Sequence, residues 1–212
     1  MKKYELTKET KVIGGKTLFR IRALRSFGDI KAGDLGGFIE NERNLSHEGN
    51  AWVVGNARVG GNAWVGDNAK VGGCAWVGDE AWVIENAVIE GNAKVGGNAR
   101  VNGNARVSGN AQVGGCAWVG GNALVGSDTR FNGDGLINSN DDYLCEKGLG
   151  SHNRSASFFK CKDGHIHVLC GCFDGNLDEF ENKVKEEHGN SKYAKEYLGF
   201  IEVVKTHFEV RQ

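Results

Sequence analysis

The chain has 212 residues with 33 Gly, no Pro and six Cys, and its 26 Lys and Arg against 27 Asp and Glu leave a formal net charge of −1. That balance gives no general attraction to nucleic acid or to an anionic membrane surface. No run of residues is long and apolar enough for a membrane span, and MKKYELTKET carries two lysines with no apolar stretch behind them, so no export signal is expected. The expectation is a cytoplasmic protein with reduced thiols.

Residues 1–35 do not repeat. KVIGG followed by KTLFRIRAL reads as a β-hairpin turning at Gly14–Gly15, with Phe19, Ile21 and Ala23 inward and Arg20 and Arg22 outward. Such a segment is expected to cap the open end of a coil built by the residues after it. Ile39 and Leu45 are six residues apart and Leu45 and Val53 eight, so a coil is expected to begin over 36–50 with two imperfect hexads and a two-residue bulge near His47.

From Ala51 to Asn140 the chain reads in sixes without an insertion or deletion: AWVVGN ARVGGN AWVGDN and so on for fifteen hexads. The first position is Ala thirteen times and the third is Val twelve times. On an extended backbone these two side chains share one side, the residue between them points the other way, and Gly, Asn, Asp or Ser turn the corner. Three such sides close a triangular coil of eighteen residues, so fifteen hexads make five coils rising roughly 24 Å. Asn68, Asn86, Asn104, Asn122 and Asn140, eighteen apart, are predicted to stack as an amide ladder. Over 36–140 the fold class is therefore mainly β, a parallel β-helix of five to six coils.

VGGNAR and its neighbours resemble the hexapeptide repeat of left-handed parallel β-helix proteins; the left hand, and a homotrimer as the common assembly, are what that resemblance implies. RALRSFGDIKAGDLGGFIE followed by NLSHEG is similar to the start of uncharacterised hexapeptide proteins of bacteriophages and prophages. GCF-DG-x-L-x-E-F in the tail resembles theirs more loosely.

The outward residues fall into three columns when read every eighteen: Trp52, Lys70, Val88, Arg106, Leu124; Arg58, Trp76, Lys94, Gln112, Arg130; and Trp64, Trp82, Arg100, Trp118, Leu136. No column sets two basic residues side by side, as repulsion between neighbouring strands requires. Trp64, Trp82, Trp118 and Leu136 form an apolar stripe expected to meet another subunit or the C-terminal region. Arg58, Lys94 and Arg130 with Trp76 are the candidate ligand column, because cations meet phosphate and Trp stacks on a base.

After Asn140 the period stops. SASFFKCKDGHIHVLCGCF reads as a hairpin turning at Asp163–Gly164, with Ile166, Val168, Cys170 and Cys172 on one face and His165, His167, Leu169 and Phe173 on the other. Helices are predicted over 177–188 after Asn176 and over 192–208 after Ser191, making 141–212 a small α+β domain. Cys161, Cys170 and Cys172, with Cys145, His152, His165 or His167, are ligand-type residues, but C-x8-C-x-C is no recognised zinc-finger spacing, so no metal and no cofactor is expected.

Known hexapeptide acyltransferases resemble one another in a histidine base and an extruded loop. Ala51–Asn140 has neither, and His47 is the one nearby histidine. The expectation is a non-enzymatic oligomeric binding protein of phage type, holding a small anionic nucleotide-like signal or a host protein at subunit interfaces. A scaffold rod and an acyltransferase using His47 are the alternatives.

Overall fold

The computed structural model describes residues 2–209. Strands β1 (Tyr4–Ile13) and β2 (Lys16–Ala23) form the N-terminal hairpin, and β3 (Leu35–Ile39) comes next. Fifteen two-residue strands, β4 (Trp52–Val53) to β18 (Leu136–Ile137), then build a parallel β-helix of about six turns. Each strand pairs with the one eighteen residues on, as in Arg58 with Trp76 and Val59 with Val77. The ladder bonds run from outward-position amides to the next coil, Arg58 N–H to the Ala75 carbonyl at 2.9 Å and Gly60 N–H to that of Val77 at 3.0 Å. The second and third predicted columns therefore lie on two separate sheets, and the first on another. We call these the first, second and third faces, after the columns.

Ala and Val at the first and third positions are buried along the whole coil and form one continuous core. The fifth residue of every hexad from Gly55 to Gly133 has positive φ, a conformation that costs an L side chain about 1–2 kcal/mol. Four of these residues are not Gly, and three offset the strain by capping the next coil. Asp67, Asp79 and Glu85 each accept a hydrogen bond from the amide eighteen residues on, Glu85, Gly97 and Gly103, at 2.7–3.0 Å.

The N-terminal strands lengthen the second face, whose order is β1-β2-β3 and then the coil strands. β3 meets the coil twenty residues on, Ile39 opposite Val59, and Leu45 bridges Val65, so the two extra residues predicted near His47 are present. A one-turn 3-10 helix, Glu42–Asn44, takes the corner between them. Ile21 and Ala23 join the core as expected, but Phe19 is only half-buried and Leu18 takes the buried place. Both neighbours of β2 are irregular over this stretch, with extra residues on β1 between Leu6 and Thr10 and on β3 between Leu35 and Phe38. Trp52 points outward yet is 2 % exposed, because Phe27 and Tyr4 lie edge-on against it.

At the other end, β19 (Tyr143–Leu149), β20 (Arg154–Lys160), β21 (Ile166–Cys170) and β22 (Phe173–Asn176) form an antiparallel sheet, two strands more than the hairpin expected from sequence. One of its faces caps the coil, with Tyr143 and Phe159 against Phe131, both at 5.2 Å between ring centres. Its other face, with Ala156, Phe158, Val168 and Cys170, packs on helices α1 (Leu177–His188) and α2 (Lys192–Glu209). Asn176 caps α1 by accepting from Glu179 N–H at 2.9 Å, and Glu179 returns the bond. Cys172, expected to share the Cys170 face, is exposed instead, since β21 ends before the turn at Gly171. No helix among the described residues is long and apolar enough to cross a membrane.

Candidate functional site

The second face presents its column in strict register: Arg58, Trp76, Lys94, Gln112, Arg130. Four of these, Trp76, Lys94, Gln112 and Arg130, line a groove of about 280 Å³ with Asp79 and Leu169. Leu169 comes from β21, so the groove lies where the coil meets the C-terminal sheet. Two bonds fix that junction: Arg130 N–H donates to Ser157 Oγ at 2.9 Å, and Arg130 Nη1 reaches the Gly171 carbonyl at 3.5 Å.

The groove's cations differ from those of the first face in how they are paired. On the first face Lys70 is bonded to Asp29 at 3.0 Å and Arg106 to Glu90 at 2.9 Å. Lys94 and Arg130 have no ion pair among the described residues, and both are exposed. The carboxylate nearest them in the lining, Asp79, is occupied by the Gly97 amide. Two uncompensated cations facing one groove favour an anion there.

Arg58 does not reach the groove. Its guanidinium lies 5.9 Å from the Trp76 ring centre, and its Nη2 donates to the Cys74 carbonyl at 3.1 Å. Of the four residues predicted to hold a ligand, the fold therefore brings Trp76, Lys94 and Arg130 together and sets Arg58 behind Trp76. The indole of Trp76 folds over Gly78, whose added Cβ would fall 2.4 Å from Nε1. One ring face is thus held against the protein, which positions the ring at little entropic cost.

On the third face Trp64, Trp82, Arg100, Trp118 and Leu136 are likewise in register. Trp64 and Trp82 meet edge-on at 5.6 Å, Arg100 sits over the Trp82 ring at 5.6 Å, and Trp118 Nε1 donates to Asn102 Oδ1 at 2.5 Å. The C-terminal sheet meets the coil only at its end and leaves Trp82 45 % exposed.

Away from Trp52, which Phe27 and Tyr4 cover, the exposure of each Trp follows the residue two places later. Trp64, Trp76 and Trp118 precede Gly66, Gly78 and Gly120, and each indole lies against that glycine. Trp82 precedes Ile84 and is the most exposed of the five. W-V-G against W-V-I is a signal in the sequence that column-by-column reading passes over.

His47 is built into the N-terminal cap. Its ring stacks on Tyr4 at 4.3 Å, its Nδ1 accepts from Lys3 N–H at 3.1 Å, and burial lowers its pKa, opposed by Glu42. The thiols are sorted by the fold. Cys170 lies in the helix-side core, Cys74, Cys116 and Cys172 are exposed, and Cys161 lies beside His165 and His167 rather than with Cys170 and Cys172. The spacing that carries this grouping is C-x3-H-x-H across a tight turn.

No protein-family model matches the chain, and no curated protein is significantly similar to it.

Proposed function

We propose that the protein is a non-enzymatic, oligomeric binding protein that sequesters a small anionic, nucleotide-like molecule or a host protein at subunit interfaces. The observation that carries the reading is the second-face groove, in which Lys94 and Arg130 lack carboxylate partners beside a pre-positioned Trp76. A volume of about 280 Å³ falls just under the range of ligand sites, which run from roughly 300 Å³ upward. Phosphate oxygens suit the two cations and a base or sugar suits the indole. The third face supplies a surface for a second copy, with an assembly of three as the resemblance implies. A phage protein of this kind has counter-defence as its natural role, by removing a host signal.

Native mass spectrometry of the freshly purified chain, then the same measurement under denaturing conditions, tests this. An oligomer carrying extra mass that is lost on denaturation is the expected outcome, and that mass defines the ligand. Replacing both Lys94 and Arg130 with Ala should remove the extra mass and leave the oligomer intact. Retention of full ligand occupancy by that double variant would place the site elsewhere.

A further inference from the structure

We propose that Cys161, His165 and His167 form a tetrahedral Zn(II)-type metal site in the C-terminal sheet, with three protein ligands and one open position. One ligand atom from each, the Cys161 Sγ and one ring nitrogen of each histidine, lie within 4.8 Å of one another. His165 Nε2 and His167 Nδ1 are 3.4 Å apart. Two nitrogens at 2.0–2.1 Å from a tetrahedral zinc are separated by about 3.3 Å, so the spacing of this pair suits one shared ion.

Proton placement gives a second argument. His165 Nδ1 lies 2.5 Å from Asp163 Oδ1, and His167 Nε2 lies 2.7 Å from Asp174 Oδ1. A carboxylate only accepts, so each of those ring nitrogens carries the hydrogen. In the neutral rings the other two nitrogens then point lone pairs at each other across 3.4 Å. Two acceptors in that position repel unless a cation lies between them. Histidines whose remote N–H is held by a carboxylate are also the usual supporting arrangement of zinc ligands, fixing tautomer and ring orientation.

The third ligand is held just as firmly. Cys161 bridges Gly135 of the coil, its N–H donates to the His165 carbonyl at 2.9 Å, and Gly164 N–H closes the turn on the Cys161 carbonyl. Lys162 ties the same turn to Asp134 and to the Cys116 carbonyl, both at 3.3 Å. His167 packs on Phe159 with ring centres 5.2 Å apart. The two rings also border a cleft of about 700 Å³ beside the start of α1, which gives an ion a way in.

The experiment uses the full chain, reduced and stripped of metal, with the exposed Cys74, Cys116 and Cys172 changed to Ser. It is titrated with Co(II), then with Zn(II). One equivalent of Co(II) should produce a thiolate-to-cobalt charge-transfer band with tetrahedral d–d bands, and Zn(II) should displace them. Asp174→Asn should weaken binding roughly 10- to 100-fold with the stoichiometry unchanged. Cys161→Ser should abolish the charge-transfer band and His165→Gln should weaken uptake. His165 is partly exposed, so the latter variant decides the matter should the former fail to fold. A parent protein that takes up no Co(II), its histidines sharing a proton instead, overturns the proposal. So does a His165→Gln variant that binds as tightly as the parent.

Discussion

Glycine at the fourth place of a hexad looks uniform in the sequence, but two such glycines do different work. Gly78 lies under the Trp76 indole, whereas a Cβ on Gly72 would meet nothing within 4 Å. Gly78→Ala must lift the ring and should cost about 1 kcal/mol or more, while Gly72→Ala should stay within about 0.5 kcal/mol. Urea unfolding of both variants against the parent checks the difference. A second residue-scale case is Lys3, which has 0 % exposure and donates from Nζ to the carbonyls of Ala51 at 2.9 Å and Glu48 at 3.2 Å. Burial, assisted by Arg25, lowers its pKa from 10.5 to about 8. Between those values the unfolded chain holds a proton on Lys3 that the folded chain has released, so the Lys3 contribution rises as pH climbs from 8 to 10.5. Tyr197, raised to about 12 by burial, acts oppositely above pH 10. Comparison with Lys3→Met isolates the effect: the parent should gain on the variant by an amount on the order of 3 kcal/mol between about pH 7.5 and pH 10.5, measured by denaturant unfolding.

At the scale of elements, the corners decide the architecture. The predicted amide ladder exists and starts one step earlier, Asn50 to Asn68, Asn86, Asn104 and Asn122, each bond 3.0–3.2 Å. Asn140 has left it, because it begins a one-turn 3-10 helix and accepts from Leu124 N–H at 2.7 Å instead. A shorter ladder, Asn92 to Asn110 to Asp128, runs along another corner. Asn86→Ala breaks two rungs at once at a solvent-exposed edge and should cost about 0.5–1.5 kcal/mol in thermal unfolding. The repeat made the coil and its three columns legible, and cap residues with an apolar stripe made both helices legible, since both signals act locally. Trp76 with Lys94 and Arg130 was legible for the same reason, because a fixed register turns spacing into adjacency. What was not legible depends on contacts the period does not encode. Arg58 turning onto Trp76 is a side-chain choice within the regular register, the parity change at Leu18 accompanies irregular strand pairing, and Cys161 joins His165 and His167 through a tight turn outside the repeat.

For the whole molecule, the question is what the third face meets. The third face carries Trp64, Trp82 and Trp118 in one line, and Trp82 stays 45 % exposed although Arg100 and Trp64 touch it. If it is the subunit contact, changing Trp82 and Trp118 to Lys should convert the oligomer to a monomer in analytical ultracentrifugation while circular dichroism stays unchanged. An unaltered sedimentation coefficient would assign self-association to another face. The constant offset of eighteen residues between paired strands has a further consequence. The coil behaves as an indexed shaft. Removing or inserting one hexad turns everything beyond it by a third of a revolution, carrying the C-terminal sheet away from the second face and dismantling the groove. Removing or inserting three hexads changes only the length and returns every side chain to its own face. The coil can therefore change length in steps of eighteen and keep its surfaces aligned, while any other step must rebuild them.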